Sequence, residues 1–257
     1  IAESTYKDEW GTIYKIDRNA SWPIDSPIDF SVKNREDWKN YSFPDPHLPG
    51  RDTDIKIAIK KSERQLAIMG GALGPFTAAW AILGLENICI LFYEDASLVK
   101  EVLTKCTEFY VNAGKIMVEA GADVLIIADD LGFKNMPFFS QVQFREFILP
   151  FFEYQVSEYR KLGVPVLMHN DGNIELFLDD LVKTGINGYH PVEREAGMDI
   201  ALVRKSYGPK LCLIGNINNK TTLVFGTPED VETEAVECLL IAGIEGGYVM
   251  SSDHSLH

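Results

Sequence analysis

The sequence predicts an α/β chain built as a (β/α)8 TIM barrel over residues 63–257, preceded by an irregular amino-terminal arm over 1–62. Three observations carry this. From Gln65 onward, short apolar runs alternate with amphipathic helical stretches through six β–α steps, which implies parallel strands joined by crossover helices. The apolar runs are continuous rather than alternating, as in a sheet covered on both faces. Polar clusters end most of the runs, whereas an open doubly wound sheet gathers them at one crevice. Six steps leave two of a barrel's eight strands unassigned, as in a chain trimmed at both ends.

Each element has its own signal. The arm holds three of the four Trp and many of the prolines, and its aromatics are expected to pack it on the barrel. Within it, Asp8-Glu-Trp-Gly-Thr-Ile-Tyr-Lys15 alternates like a hairpin strand, with Thr12 and Tyr14 on one face and Ile13 on the other. A strand over 66–69 leads into the loop Gly70-Gly-Ala-Leu-Gly-Pro75. Its glycine spacing fits neither a dinucleotide loop nor a P-loop, so tight packing is expected there rather than phosphate. Asp95 is placed to cap a long helix to Ala120. Val99, Val102, Leu103, Cys106, Phe109, Ala113 and Ile116 form its apolar stripe, and Gly121 ends it. A strand over 122–128 follows and ends in Asp129-Asp130. Ser140-Gln-Val-Gln143 has the pattern of a capping box and opens a helix to about residue 162, with a kink at Pro150. Strands over 164–169, 188–192 and 211–216 then alternate with helices over 174–184 and 199–207. Thr227-Pro-Glu-Asp230 opens the next helix with a cap residue and Pro in first position, Gly243 closes it, and a strand over 247–252 comes last.

Composition narrows the function. The chain is 46% apolar and 24% charged, ordinary for a globular protein. No run of about 18 apolar residues exists to span a membrane. The net charge is −14, with no basic face of the kind that grips DNA or RNA, so nucleic acid is excluded as a partner. Cys89, Cys106, Cys212 and Cys238 stand far apart and form no Cys-x-x-Cys, and the first residues lack a signal-peptide pattern. Reduced thiols and a cytoplasmic location are therefore expected.

In a barrel the carboxyl ends of the strands converge on one mouth. Asp129, Asp130, His169, Asp171, His190, Glu193, Asn216, Asn218, Ser251, Asp253 and His254 would ring it. The segment Val164-Pro-Val-Leu-Met-His-Asn-Asp-Gly172 is the most telling: a buried strand that releases a His and an acid into a turn. His169 and Asp171 have the spacing of two metal ligands beyond a strand end, and His254 supplies a third. The competing reading gives His169 a backbone hydrogen bond and Asp171 an Asx-turn with Gly172. Asp129 and Asp130 read as a general base with an orienting acid, or as a helix cap. Glu193 and Glu195 read as site acids or as a loop salt-bridged to Arg194. Asn216 and Asn218 hold a polar substrate or satisfy turn backbone. No Gly-x-Ser-x-Gly, Cys–His pair or strand-end lysine offers covalent catalysis.

Taken together, His169-Asn-Asp-Gly-Asn173, Gly185, His190-Pro-Val-Glu193, Leu213-Ile-Gly-Asn-Ile217 and Gly246-Gly-Tyr-Val-Met-Ser-Ser-Asp-His254 resemble the uroporphyrinogen decarboxylase superfamily. Asp8-Glu-Trp-Gly11 and Gly74-Pro75 fit as well, so the resemblance covers nearly the whole chain. It implies a (β/α)8 barrel and either tetrapyrrole decarboxylation or corrinoid-dependent methyl transfer. Zinc methyltransferases of the superfamily carry His-x-Cys and a later Cys. Here His169 matches the His, while Asp171 and His254 stand where the thiolates belong. A zinc ion held by His169, Asp171 and His254, and a cobalamin presented by a partner corrinoid protein, are what that branch implies. His169, Asp171, Asp130 and Glu193 would then be catalytic, and Asp129, His190, Asn216, Asn218, Ser251 and Asp253 would bind substrate. The acidic mouth, with no arginine clamp for propionates, favours a methyltransferase of a small methylated donor or acceptor. A decarboxylase, or a non-catalytic ligand-binding barrel, is the alternative.

Overall fold

The computed structural model of the chain describes residues 4–17 and 24–255. Trp22, one of the arm's three tryptophans, lies outside those residues.

Among its described residues the arm carries regular structure where irregular chain was expected. Strands β1 (Ser4–Lys7), β2 (Ile13–Asp17) and β3 (Ile24–Asp29) form an antiparallel sheet in the order β1-β2-β3. The expected strand over 8–15 begins only at Ile13, because Asp8–Thr12 is the turn: the Asp8 carboxylate accepts from the Thr12 amide at 2.8 Å. Pro27 is tolerated because β3 is an edge strand, where a missing N–H breaks no ladder. Helices α1 (Arg35–Asn40) and α2 (Thr53–Ser62) follow. Trp10 anchors the arm, its ring 4.7 Å from Phe109 and 5.8 Å from Tyr110 on the barrel's long helix. Thr12 Oγ1 adds a bond to the Ala81 carbonyl at 2.7 Å.

The barrel wall starts at β4 (Met69–Leu73), three residues later than the sequence suggests. Leu66 is left exposed, and the two glycines read as loop lie inside the strand. Gly70 is needed there by close approach: a Cβ would stand 2.9 Å from Met117 Sδ. Helices α3 (Pro75–Leu83), α4 (Leu85–Glu94) and α5 (Ala96–Glu119) come next. Asp95 caps α5 by accepting from the Leu98 amide at 3.1 Å, and the apolar stripe from Val99 to Phe109 is buried.

Strand β5 (Val124–Ala128) leads through the short hairpin β6 (Gly132–Phe133) and β7 (Met136–Pro137) to α6 (Gln141–Gln143), whose capping box forms. The kink expected at Pro150 is a widened π turn over Phe144–Ile148 that runs into α7 (Leu149–Arg160). A proline cannot donate to the residue four back and its ring crowds that carbonyl, which the wider turn relieves. Then come β8 (Val166–His169), α8 (Glu175–Lys183), β9 (Gly188–His190), α9 (Ile200–Tyr207), β10 (Cys212–Ile217), α10 (Thr222–Phe225) and α11 (Pro228–Cys238). Gly243, read as the stop of α11, ends a second π turn instead, and Gly246-Gly247 turns the chain into β11 (Tyr248–Ser252).

Six parallel strands form one sheet in the order β4-β5-β8-β9-β10-β11. That order is the sequence order, without the reversal that makes a switch-point crevice, so it is the wall of a (β/α) barrel. Among the described residues β4 and β11 do not pair, and the ring is not closed. All strand carboxyl ends lie on one side, which is the mouth. Below it the core is rich in aromatics, with Phe76, Phe144, Phe152, Tyr159, Phe177 and Tyr189 fully buried. Among the described residues no single helix is long and apolar enough to cross a membrane.

Candidate functional site at the barrel mouth

Parallel pairing sets the site. His169 ends β8 and stands in register with Ala128 of β5 on one side and His190 of β9 on the other. The two imidazoles meet through their Nδ1 atoms at 2.7 Å. Burial, reinforced by the charges of His169 and His254, pushes the His190 pKa down to about 4, so it is neutral at physiological pH.

The turn after His169 is locked by Asn170, which is fully buried. Its Oδ1 accepts from the Leu131 amide at 2.7 Å, and its Nδ2 donates to the Asp171 carbonyl at 2.7 Å. Asp171 is thereby turned toward the neighbouring strand ends. Its amide donates to Asp130 Oδ1 at 3.1 Å, and its Oδ2 lies 3.1 Å from His254 Nε2. His169 Nε2 faces both acids, 3.7 Å from Asp171 Oδ1 and 3.9 Å from Asp130 Oδ1. Burial raises the pKa of Asp171, and the imidazoles of His169 and His254 oppose that shift.

Gly172 completes the turn at φ +90°, a conformation that suits glycine, and a Cβ there would fall 2.9 Å from the Gly132 carbonyl. Its amide donates to Glu193 Oε2 at 2.6 Å, so the Asx-turn reading of Asp171 gives way to a tether from the next strand. Val192 precedes that glutamate at φ 58°, a rare backbone for a β-branched residue.

Asp130, Asp171, Gly172, Glu193 and His254 line a cleft of about 340 Å³. Its lining is apolar at Trp80, Leu85, Phe133 and Phe138, and polar or charged at Asp130, Asp171, Glu193, His254, Lys134 and Lys220. Asp130, His169 and Asp171 each offer one ligand atom, and the three lie within 4.8 Å of one another. Asp171 Oδ1 is buried without a hydrogen-bond partner. An orphaned carboxylate oxygen beside an imidazole and a second acid fits a divalent cation. His254, expected as the third ligand, touches Asp171 but falls outside this group, and Asp130 takes its place.

Several expected substrate contacts turn out to brace the scaffold. Asp129 is fully buried, and its carboxylate accepts from the amides of Thr77 at 2.7 Å and Phe76 at 3.4 Å, capping α3. Burial pushes its pKa up to about 7 despite those bonds. Asn216 is 1% exposed and donates to the Val192 carbonyl at 2.9 Å. Asn218 caps its own turn, accepting from the amides of Lys220 and Thr221. Asp253 is fully buried and accepts from the Asn219 amide at 2.9 Å. His190 sits behind His169, and Ser251 is half-buried on β11 opposite Asn216. Arg194 pairs with Glu234 at 3.4 Å, not with its neighbours, and Glu195 accepts from Asn218 Nδ2. The residues missed are Thr77, Asn170 and the cleft wall of Trp80, Phe133, Lys134, Phe138 and Lys220. Asn170 carried a signal, as an amide directly after an apolar strand. The wall residues carried none.

The profile of the uroporphyrinogen decarboxylase (URO-D) family matches residues 21–257. The methylcobamide:CoM methyltransferase MtbA of Methanosarcina acetivorans is 32% identical over 222 residues, which cover 85% of this chain and 63% of that protein. A uroporphyrinogen decarboxylase of Chlorobium phaeovibrioides is 25% identical over 240 residues, covering 88% and 65%. The chain thus spans somewhat less than two thirds of the length of these relatives. A solved methyltransferase from Methanosarcina mazei shares the fold, with a TM-score of 0.76 at 24% identity over 95% of this chain and 70% of that one. Profile, relatives and strand order agree, and the chain belongs to the uroporphyrinogen decarboxylase family.

Proposed function

We propose that the barrel mouth is the active site of a corrinoid-dependent methyltransferase. It moves a methyl group between a cobalamin held by a partner corrinoid protein and a small methylated donor or thiol acceptor. The observation that carries this is the convergence of Asp130, His169 and Asp171 on one point at the mouth. A relative that is 32% identical and named for methylcobamide and CoM supports it.

A zinc ion held by Asp130, His169 and Asp171 would supply Lewis-acid activation, lowering the pKa of a bound thiol. The chain's own residues do the rest. Asn170 and Glu193 fix the turn that presents Asp171. His254 Nε2 stands 3.1 Å from Asp171 Oδ2 and holds that carboxylate from the side away from His169. Trp80, Leu85, Phe133 and Phe138 line the cleft with apolar surface, which keeps water from a nucleophile. The same lining argues against the decarboxylase alternative. A substrate bearing eight carboxylates needs a cationic clamp, and the cleft sets Asp130, Asp171 and Glu193 against Lys134 and Lys220.

The test is anaerobic incubation of the protein with methylcobalamin and 2-mercaptoethanesulfonate, followed by absorbance. Wild type should convert methylcobalamin to cob(I)alamin, with the methyl recovered as thioether, and His169→Ala should not. A parallel incubation with uroporphyrinogen reads carbon dioxide. Release of carbon dioxide without methyl transfer would make the chain a decarboxylase, and neither reaction would leave a ligand-binding barrel.

A further inference from the structure

The contact between His169 and His190 has a consequence for the cation site, and it rests on the reading of Asp130, His169 and Asp171 given above. Two nitrogens 2.7 Å apart hold one proton between them, because two lone pairs or two N–H groups at that distance repel. The proton therefore sits either on His169 Nδ1 or on His190 Nδ1. In a neutral ring the choice decides the far nitrogen. With the proton on His169 Nδ1, its Nε2 carries a lone pair. With the proton on His190 Nδ1, His169 Nε2 is an N–H.

A second distance separates the two. His169 Nε2 lies 3.7 Å from Asp171 Oδ1 and 3.9 Å from Asp130 Oδ1. An N–H aimed at a carboxylate closes to about 2.7–2.9 Å. Asp171 Oδ1 instead stands buried without a hydrogen-bond partner. The spacing is that of a lone pair and two carboxylates held apart, with room for a cation between them.

We propose that His190 is a positioning residue: its Nδ1 accepts the hydrogen bond from His169 Nδ1 and holds His169 in the tautomer whose Nε2 lone pair faces Asp130 and Asp171. Metal-ligating histidines commonly donate their second N–H to a carboxylate or a backbone carbonyl. Here the acceptor is a second imidazole delivered by strand register, His169 opposite His190. This places His190 behind the ligand rather than against substrate.

Two measurements test it, neither of which needs turnover. Long-range 15N–1H correlation spectra of the metal-free protein read the tautomer of His169 directly. The proton should be on Nδ1, and a proton on Nε2 overturns the inference. Zinc titration against a chromophoric chelator then compares wild type, His190→Asn and His190→Phe. The Asn amide oxygen can take the place of the imidazole acceptor, so this variant should stay within a few-fold of wild type. The Phe ring fills the space without an acceptor and should weaken zinc binding by about 10- to 100-fold, the usual effect of removing such a partner. Equal affinity of wild type and a folded His190→Phe overturns the inference. Should His190→Phe fail to fold, the spectra of wild type still decide. A wild type that binds no zinc but shows Nδ1-protonated His169 sinks the cation reading and leaves the tautomer assignment standing.

Discussion

Replacing Glu193 separates a positioning role from a chemical one. Its Oε2 accepts from the Gly172 amide at 2.6 Å, and the residue is 8% exposed. Gly172 is itself buried and adjoins Asp171, so this bond fixes the turn that aims Asp171 at the mouth. A hydrogen bond to a charged group contributes about 1.5–3 kcal/mol, and a buried amide left without a partner costs about 1–3 kcal/mol. Glu193→Ala should therefore destabilise the fold by about 2–3 kcal/mol and loosen Asp171. Glu193→Gln keeps an oxygen acceptor and loses only the charge, so it should cost about 1 kcal/mol or less and retain most activity. Urea unfolding gives the stabilities, and methyl transfer from methylcobalamin gives the activities. The reasoning is refuted if Glu193→Gln abolishes methyl transfer with stability intact, because the carboxylate would then act in the chemistry itself. It is equally refuted if Glu193→Ala unfolds within about 0.5 kcal/mol of wild type, the range of an ordinary surface change.

Other perturbations reach different parts of the account. Burial holds the Asp129 pKa near 7, above its unfolded value, so its contribution to stability is full below about pH 4 and is lost as pH rises through about 7. Asp129→Asn removes that titration, and its melting temperature relative to wild type should climb between pH 4 and 8; a difference that stays flat with pH contradicts the burial argument. Gly114→Ala would put a Cβ 2.2 Å from Tyr159 Cε1, where α5 and α7 meet, and should destabilise by about 1–3 kcal/mol in urea unfolding. A neutral result would mean the two helices separate freely.

The fold was more legible than the site because its signals are local. Asp95, the stripe from Val99 to Phe109 and Gly121 mark both ends and the buried face of α5 without reference to anything distant. Thr227 and Asp230 mark the start of α11 in the same local way, through their capping box. Strand β4 was misplaced because glycines read as loop when no neighbour is known, and Gly70 is explained by Met117 on α5 and Leu125 on β5. The arm was misread because Pro27 reads as a break, whereas it sits in an edge strand that tolerates it.

At the site, adjacency in sequence does not fix direction. Asp129 and Asp130 are the same residue type one position apart, yet the first is buried under α3 and the second faces the cleft. The side chain of residue 129 is committed by the amides of Phe76 and Thr77, more than 50 residues away. Likewise His190 could not be read as the partner of His169 before the register of β8 and β9 was known. Lys134 and Lys220 reach the cleft from a hairpin and a loop with no pattern of their own.

Zinc-edge X-ray absorption on the zinc-loaded protein tests the account most directly. The four cysteines are free and none belongs to the Asp130, His169 and Asp171 group, so the resting shell should contain nitrogen and oxygen scatterers only. Addition of 2-mercaptoethanesulfonate should bring one sulfur to about 2.3 Å, and His169→Ala should lose both the zinc and that change. Sulfur in the shell before any thiol is added, or a shell unchanged by the thiol, would contradict the assignment of this mouth as the methyl-transfer site.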